Sequence, residues 1–196
     1  MEIEIKYAVP DDTTCKRLKE TDQLAGFLLS SGHLQHIHDV YLDTAQHVIQ
    51  KAGFACRKRE QDSRFMITLK QLATAERNVH RRQEFEIPIP SAALPPAQWP
   101  DSPARNFILQ FTQQEPLIPL CDVTQRRFVR LMRSHHNRLV AEVSIDEVHV
   151  LAADAEHVYF ELEVELRTEG TEYDLEIIRT CLQHEWALKP ESRSKI

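Results

Sequence analysis

The chain has 196 residues, of which 42% are hydrophobic and 28% are charged, and its formal net charge is −6. This length suffices for one domain with a hydrophobic core, and we expect residues 1–196 to form a single domain. The negative charge disfavours nonspecific binding of nucleic acid, and no stretch approaches the ~20 apolar residues of a membrane span.

The four cysteines do not form a C-x-x-C pair, and no apolar signal core opens the chain. We therefore expect a cytoplasmic protein with reduced thiols that binds neither nucleic acid nor a membrane. Its oligomeric state is left open.

Period-two alternation of polar and apolar residues predicts strands near 2–9, 37–43, 54–60, 64–70, 80–88, 122–133, 138–150 and 157–167. A helix is predicted to begin at the cap cluster Asp11-Asp12-Thr13 and to run towards Gly32, with Phe27-Leu28-Leu29 on its core face. Further helices are predicted over 104–112 and 171–186, after a proline-rich link at 88–103. The predicted fold is α+β, mainly β: a closed, eight-stranded antiparallel barrel with flanking helices.

The first strand carries charged residues at every second position. In an extended chain Glu2, Glu4 and Lys6 share one face, and Ile3 and Ile5 share the other. The same pattern returns as Glu161-Leu162-Glu163-Val164-Glu165.

Other predicted strands also place charged residues on one face. These residues are Arg57 and Arg59; Lys70 with Thr68; Arg82, Glu84 and Glu86; Arg126 with Thr124; and Asp146. A solvent-exposed outer face is the default interpretation of any single strand. Across all of these strands, however, arginine and glutamate are the main polar residues, and acidic and basic residues are separated by strand. This distribution favours a charged interior. Arginine and lysine recognise phosphates, and carboxylates bind Mg²⁺ or Mn²⁺, so the pattern predicts a metal–polyphosphate site.

These residues resemble the motifs of the CYTH superfamily, the triphosphate tunnel metalloenzymes. Glu2-x-Glu4-x-Lys6 is similar to the ExExK motif of that family. The other similar segments are Tyr41-Leu42-Asp43-Thr44, Arg57-Lys58-Arg59, Thr68-Leu69-Lys70, His80 to Glu84, Thr124-Gln125-Arg126, Asp146, Glu161-Leu162-Glu163 and Ser194-Lys195.

The resemblance implies hydrolysis or rearrangement of a triphosphate with Mg²⁺ or Mn²⁺. It implies metal ligands at Glu2, Glu4, Asp146, Glu161 and Glu163, and catalytic roles for Glu4, Lys6, Glu84 and Arg126. It implies triphosphate contacts from Lys6, Arg57, Arg59, Lys70, Arg82, Arg126 and Lys195. Arg126 and Arg127 are adjacent, and we favour Arg126 as the inward residue because it lies two residues after Thr124.

Inorganic triphosphate is the favoured substrate, because a thiamine or adenine ring needs an aromatic platform and only 7% of the residues are aromatic. The alternatives are a class IV adenylate cyclase and a thiamine triphosphatase. From another class, a noncatalytic polyphosphate- or nucleotide-binding module stays open, although the rows of carboxylates argue against it. A carrier of an apolar ligand would need apolar inward faces, which the matched motifs contradict. His36 and His38 share a strand face, but two histidines without a third ligand are a weak zinc signal.

Overall fold

The computed structural model describes residues 2–72, 79–152 and 155–191. Within them, the strands are β1 (Glu2–Val9), β2 (Gln23–Leu24), β3 (Phe27–Leu29), β4 (His33–Asp43), β5 (Phe54–Gln61), β6 (Arg64–Gln71), β7 (Val79–Arg82), β8 (Glu84–Ile89), β9 (Ile118–Arg133), β10 (Leu139–Ala152), β11 (Ala155–Leu166) and β12 (Lys189–Pro190). The α-helices are α1 (Asp12–Glu20), α2 (Val48–Lys51), α3 (Pro103–Thr112) and α4 (Glu172–His184).

The strands form one curled, antiparallel sheet. Its main path runs β12–β1–β11–β10–β9–β4–β5–β6–β8, while β3 pairs with β9 and β7 pairs with β1. The prediction of a mainly-β α+β fold with few helices is confirmed. The main path is open and has nine strands, so the predicted closed ring of eight strands is not confirmed.

Helices α1 and α4 cover the apolar face of one half of the sheet. Ile5 and Tyr7 of β1 are fully buried and belong to the same core cluster as Leu18 of α1 and Ile178 of α4. Burial of one such side chain stabilises the fold by about 1.5–3 kcal/mol. The apolar alternate residues of β1 therefore face the helices, and the charged ones face the opposite side of the sheet.

Helices α2 and α3 cover the other half in the same way. Ile49 of α2 and Ile108 of α3 are fully buried against Ile67 and Leu69 of β6. Thr68 and Lys70 alternate with these two residues, so they lie on the same concave face as the charged residues of β1.

A third apolar cluster occupies the concave face itself. It consists of Tyr41, Cys121, Val123 and Val148. Val148 shares its strand face with Asp146, and Val123 shares its face with Gln125. The concave face is therefore charged along part of its length and filled with apolar side chains farther along the strands.

The first predicted helix ends earlier than expected, and the prediction that it reaches Gly32 is wrong. Helix α1 ends at Glu20, and Phe27–Leu29 forms the strand β3. Ala25 and Gly26 have φ values of 54° and 80°, which suit the two-residue turn between β2 and β3. Gly32 is required for close packing instead, since a Cβ atom there would clash with the ring of Phe128.

The other predicted helices agree more closely with the structure. Helix α4 begins after Thr171, whose hydroxyl accepts a hydrogen bond from the backbone of Asp174. All four cysteines are free and buried. In the described part of the chain, no helix has the length and apolar character that crossing a bilayer requires.

Candidate active site

A cavity of about 470 Å³ lies against the charged part of the concave face. Among the described residues, equal numbers of basic and acidic side chains line it: Lys6, Arg57, Arg59, Lys70, Arg82, Arg127 and Arg167, and Glu2, Glu4, Glu84, Glu86, Glu142, Glu163 and Glu165. Since these formal charges balance, net positive charge alone would not hold a polyanion here.

Most of the predicted site residues meet at this cavity. Those that line it are Glu2, Glu4, Lys6, Arg57, Arg59, Lys70, Arg82, Glu84 and Glu163. Asp146 and Glu161 are buried beside it and complete the acidic cluster described below. Lys195 lies outside the described residues.

Alternating ion pairs connect β1 with β6 and with the β7–β8 segment. The ammonium of Lys70 lies 2.6 Å from Glu2 and 3.4 Å from Glu84. Arg82 donates a hydrogen bond to Glu4. Carboxylates and cations on facing strands therefore hold one another in place on this wall of the cavity.

Three carboxylates from β10 and β11 form an acidic cluster. Oxygen atoms of Asp146, Glu161 and Glu163 all lie within 4.8 Å of one another. Lys6 contacts Glu163 at 2.5 Å, and Arg127 contacts both Asp146 and Glu163 at 2.6 Å. Buried carboxylates in such proximity are unfavourable unless cations compensate their charge.

The predicted inward orientation of Arg126 is wrong, and Arg127 lines the cavity instead. Arg126 lies on the outer face, where its side chain is 58% exposed and pairs with Glu147 at 3.1 Å. The side chain of Arg127 is 16% exposed. Strand β9 presents Val123, Gln125 and Arg127 to the concave side, so Thr124 and Arg126 necessarily face outward.

Asp39 and Gln125 are buried polar residues at this site that the sequence analysis missed. Arg59 donates two hydrogen bonds of 2.8 Å to Asp39, and Gln125 donates one of 2.9 Å. Strand parity could have found Asp39, because it lies two residues before Tyr41, which also faces the cavity.

The proton affinities of the cavity residues differ with their neighbours. Burial raises the pKa of Glu84, although Lys70 opposes this shift. For Glu2, burial also favours the neutral acid, but Lys70 and Arg82 together lower the pKa. Burial would lower the pKa of Lys6, yet Glu163 and Glu161 raise it, so Lys6 carries a positive charge. Of the two carboxyl groups, Glu84 is the one whose surroundings favour the protonated acid.

Several buried donors of the cavity wall lack a hydrogen-bond partner among the described residues. They are Nε of Arg57, Nε of Arg82 and the hydroxyl of Thr68. Unsatisfied buried donors are unfavourable, and phosphate oxygens are strong acceptors. Arg57 and Arg82 are both among the residues that the sequence predicts to bind phosphate.

The acidic cluster fits a hard divalent cation. Mg²⁺ holds oxygen ligands at about 2.0–2.1 Å, so neighbouring ligands of an octahedral site lie roughly 2.9 Å apart. The three carboxylates, whose oxygens lie within 4.8 Å of one another, would draw together around such an ion and exchange contacts with Lys6 and Arg127 for it. All donors are carboxylate oxygens, which suits Mg²⁺ or Mn²⁺. Glu2 and Glu4, also predicted as metal ligands, lie in the cavity but outside this cluster.

The histidines on the outer face do not join a comparable cluster. His38 pairs with Asp122 at 2.7 Å on the surface. Within the described part of the chain, the three-carboxylate group is the one set of metal-ligating side chains with such close ligand atoms.

Comparison with known proteins identifies one matching family. The family model of the CYTH domain matches residues 1–196. No curated protein matches the sequence significantly.

Solved structures share the fold. HpAC1 from Hippeastrum, a proposed adenylyl cyclase with a dominant triphosphatase activity, matches at 18% identity and a TM-score of 0.64, over 100% of this chain and 92% of that one. A proposed adenylate cyclase from Bacillus halodurans matches at 20% identity and a TM-score of 0.61, over 100% and 95%. PH1012 from Pyrococcus horikoshii matches at 18% identity and a TM-score of 0.59, over 99% and 96%.

Proposed function

The chain belongs to the CYTH domain family, and from this premise we propose that it hydrolyses inorganic triphosphate to pyrophosphate and phosphate with Mg²⁺ or Mn²⁺. Residues 1–196 would act as a single domain. The observation that carries the proposal is the cavity in which phosphate-binding cations surround a compact group of three carboxylates.

The sheet would enclose the substrate as a tunnel. Strand β7 pairs with β1, β8 pairs with β6, and only Gln83 separates β7 from β8. This interrupted strand would join the two sides of the curled sheet. The apolar cluster of Tyr41, Cys121, Val123 and Val148 would fill the far end, so that substrate enters and leaves at the charged end.

The basic residues would hold the triphosphate chain. Arg57, Arg82 and Arg127 present guanidinium groups to the cavity, and Lys6 and Lys70 present ammonium groups. Arginine can donate two parallel hydrogen bonds to a phosphate, and positive charge stabilises the charge that develops on the leaving oxygen. Lys195, which lies outside the described residues, is proposed to add a further contact.

The acidic residues would hold the metal. Asp146, Glu161 and Glu163 would supply the main ligands, with Glu2 and Glu4 beside them on the neighbouring strand. A bound Mg²⁺ or Mn²⁺ ion would neutralise phosphate charge and orient the substrate. This explains how a cavity with balanced formal charge could bind a polyanion.

Proton transfer would involve Glu84. Attack of water on the terminal phosphorus forms a new P–O bond, breaks the bond to the bridging oxygen and releases one proton. Glu84, whose pKa is raised by burial, could accept that proton while Lys70 and Arg57 hold its carboxylate in place.

The inorganic substrate is favoured over thiamine triphosphate and ATP by the cavity lining. Among the described lining residues, Tyr41 is the sole aromatic one, and it belongs to the apolar end. Both tryptophans lie elsewhere: Trp99 is in the core beside α3, and Trp186 stacks on Arg17. A ring at the charged end would find no aromatic platform there.

A substrate panel tests the proposal. Tripolyphosphate, thiamine triphosphate and ATP are each incubated with the protein in Mg²⁺ and in Mn²⁺, and phosphate and cyclic AMP are measured. We expect the highest kcat/KM for tripolyphosphate and no cyclic AMP.

The other outcomes identify the alternatives. Formation of cyclic AMP from ATP would indicate an adenylate cyclase, and a preference for thiamine triphosphate would indicate a thiamine triphosphatase. Binding of tripolyphosphate without turnover under both metals would refute the proposed enzymatic activity and favour a binding module.

A further inference from the structure

Asp39 occupies an unusual position for a carboxylate. It lies on the concave face of β4, opposite Arg59 of β5 and Val123 of β9, and its exposed surface is 0%. A carboxylate in such surroundings is strongly unfavourable unless charged and polar partners compensate it. Asp39 has those partners, and two of them line the cavity.

The two oxygens of Asp39 organise the polar groups around them. Arg59 binds both oxygens through Nε and Nη2 at 2.8 Å, the two-pronged geometry of a strong ion pair. Arg57 lies 3.5 Å away through Nη1, and the amide of Gln125 donates at 2.9 Å. Residues from both neighbouring strands, β5 and β9, therefore converge on one carboxylate of β4.

This contact fixes which part of each arginine remains for a ligand. Asp39 takes the Nε edge of Arg59, which leaves Nη1 for a partner in the cavity. The guanidinium of Arg57 lies between Asp39 and Glu84, each at 3.5 Å, on two walls of the cavity. A long cationic side chain that rotates freely loses conformational entropy when it binds a ligand, and this loss weakens binding. Contacts that already hold the side chain in place reduce the loss.

We propose that Asp39 is a positioning residue that holds Arg59, and more loosely Arg57, in the orientation that binds phosphate oxygens. The proposal rests on the proposed function in one respect, since it takes these arginines to bind the triphosphate. Asp39 itself would contact neither the substrate nor the metal.

The test is a double-mutant cycle of Asp39→Asn and Arg59→Gln, with tripolyphosphate affinity in Mg²⁺ measured by calorimetry and KM and kcat measured separately. Asp39→Asn should weaken affinity and raise KM about tenfold, with a smaller change in kcat. In the Arg59→Gln background the same change should alter affinity less than about twofold, because Asp39 acts through Arg59. Asp122→Asn, an exposed aspartate paired with His38, is the matched control and should leave affinity unchanged.

Two results would overturn the proposal. One is a lower melting temperature for Asp39→Asn with unchanged affinity, which would make Asp39 purely structural. The other is an equal loss of affinity in both backgrounds. If Asp39→Asn fails to fold, Asp39→Glu, which keeps the charge but lengthens the side chain, takes its place in the cycle and should weaken tripolyphosphate affinity in the wild-type background but not in the Arg59→Gln background.

A second readout does not depend on triphosphate binding. The Nε–H resonance of Arg59, assigned by its loss in Arg59→Gln, should be sharp in the wild type and broadened by exchange in Asp39→Asn. An unchanged resonance would contradict the positioning role. If the wild type neither binds nor hydrolyses tripolyphosphate, the proposed function fails, while this measurement still decides whether Asp39 orders Arg59.

Discussion

Single residues decide which charges reach the cavity, and Arg126 and Arg127 are the sharpest case. They are adjacent on β9 and identical in chemistry, but Arg127 contacts Asp146 and Glu163 while Arg126 pairs with Glu147 on the outer face. The difference between them is strand parity alone. They therefore form a matched pair for testing the site.

Arg127→Gln should lower kcat/KM for tripolyphosphate by about 100-fold, corresponding to about 2.7 kcal/mol, because it removes a buried cation from the cavity. Arg126→Gln should stay within about twofold of wild type. Steady-state kinetics of both variants, with melting temperatures to verify folding, make the comparison. Equal effects of the two substitutions would contradict the assignment of Arg127.

The sequence predicts most cavity residues, for a physical reason. Alternation along strands such as Glu2–Lys6 fixes which residues share a face, and so the charged set could be recognised before the structure was known. Arg126 was misassigned because two consecutive arginines fit either parity. Asp39 shares its strand face with Tyr41 and Asp43, so parity indicates that it faces the interior, but its role depends on Arg59 and Gln125, which come from β5 and β9 and are not evident in the segment itself.

At the level of elements, the N-terminus of α4 depends on one ionised carboxylate. Arg138 donates hydrogen bonds of 2.7 and 2.8 Å to Asp174, and the backbone of Thr171 donates one of 2.8 Å. Arg138 foremost, and then Thr171, lower the pKa of Asp174 from 3.8 to about 2. Because the folded state favours the ionised form, this stabilisation is present above about pH 4 and is lost as the pH falls through about 2.

Asp174→Asn should therefore unfold at a lower urea concentration than wild type at pH 7. The difference between the two unfolding midpoints should become smaller as the pH falls from about 4 towards 2. Urea unfolding curves at several pH values measure it. Asp12→Asn, in an exposed pair with Lys16 on α1, is the control and should change stability little. A gap for Asp174→Asn that stays constant down to pH 2 would contradict the account.

Helix α1 ends earlier than the sequence predicts, because its end depends on a contact with a distant part of the chain. The sequence predicts that the helix continues beyond Glu20, but Arg130 of β9 donates hydrogen bonds to the carbonyls of Lys19, Thr21 and Ser30. Those carbonyls come from chain positions far from Arg130 in sequence. A long-range contact of this kind overrides helical propensity and cannot be recognised from a local window.

In the molecule as a whole, the polar and apolar faces are reversed relative to an ordinary sheet exposed on one side. The helices cover the apolar face from outside, and the concave face holds acidic and basic side chains that pair with one another. Such an arrangement is stable only when each buried charge has a partner. We propose that this charged interior is a metal-dependent triphosphatase site.

The most direct test is phosphate release from tripolyphosphate, measured with Mg²⁺, with Mn²⁺ and with excess EDTA, for wild type, Glu163→Gln and Glu147→Gln. Glu163 belongs to the acidic cluster, whereas Glu147 pairs with Arg126 on the outer face. We predict release that requires metal, a fall of about 100-fold or more in Glu163→Gln, and near-normal release in Glu147→Gln. No release with either metal, release that EDTA leaves unchanged, or equal rates for the two variants would contradict the claim.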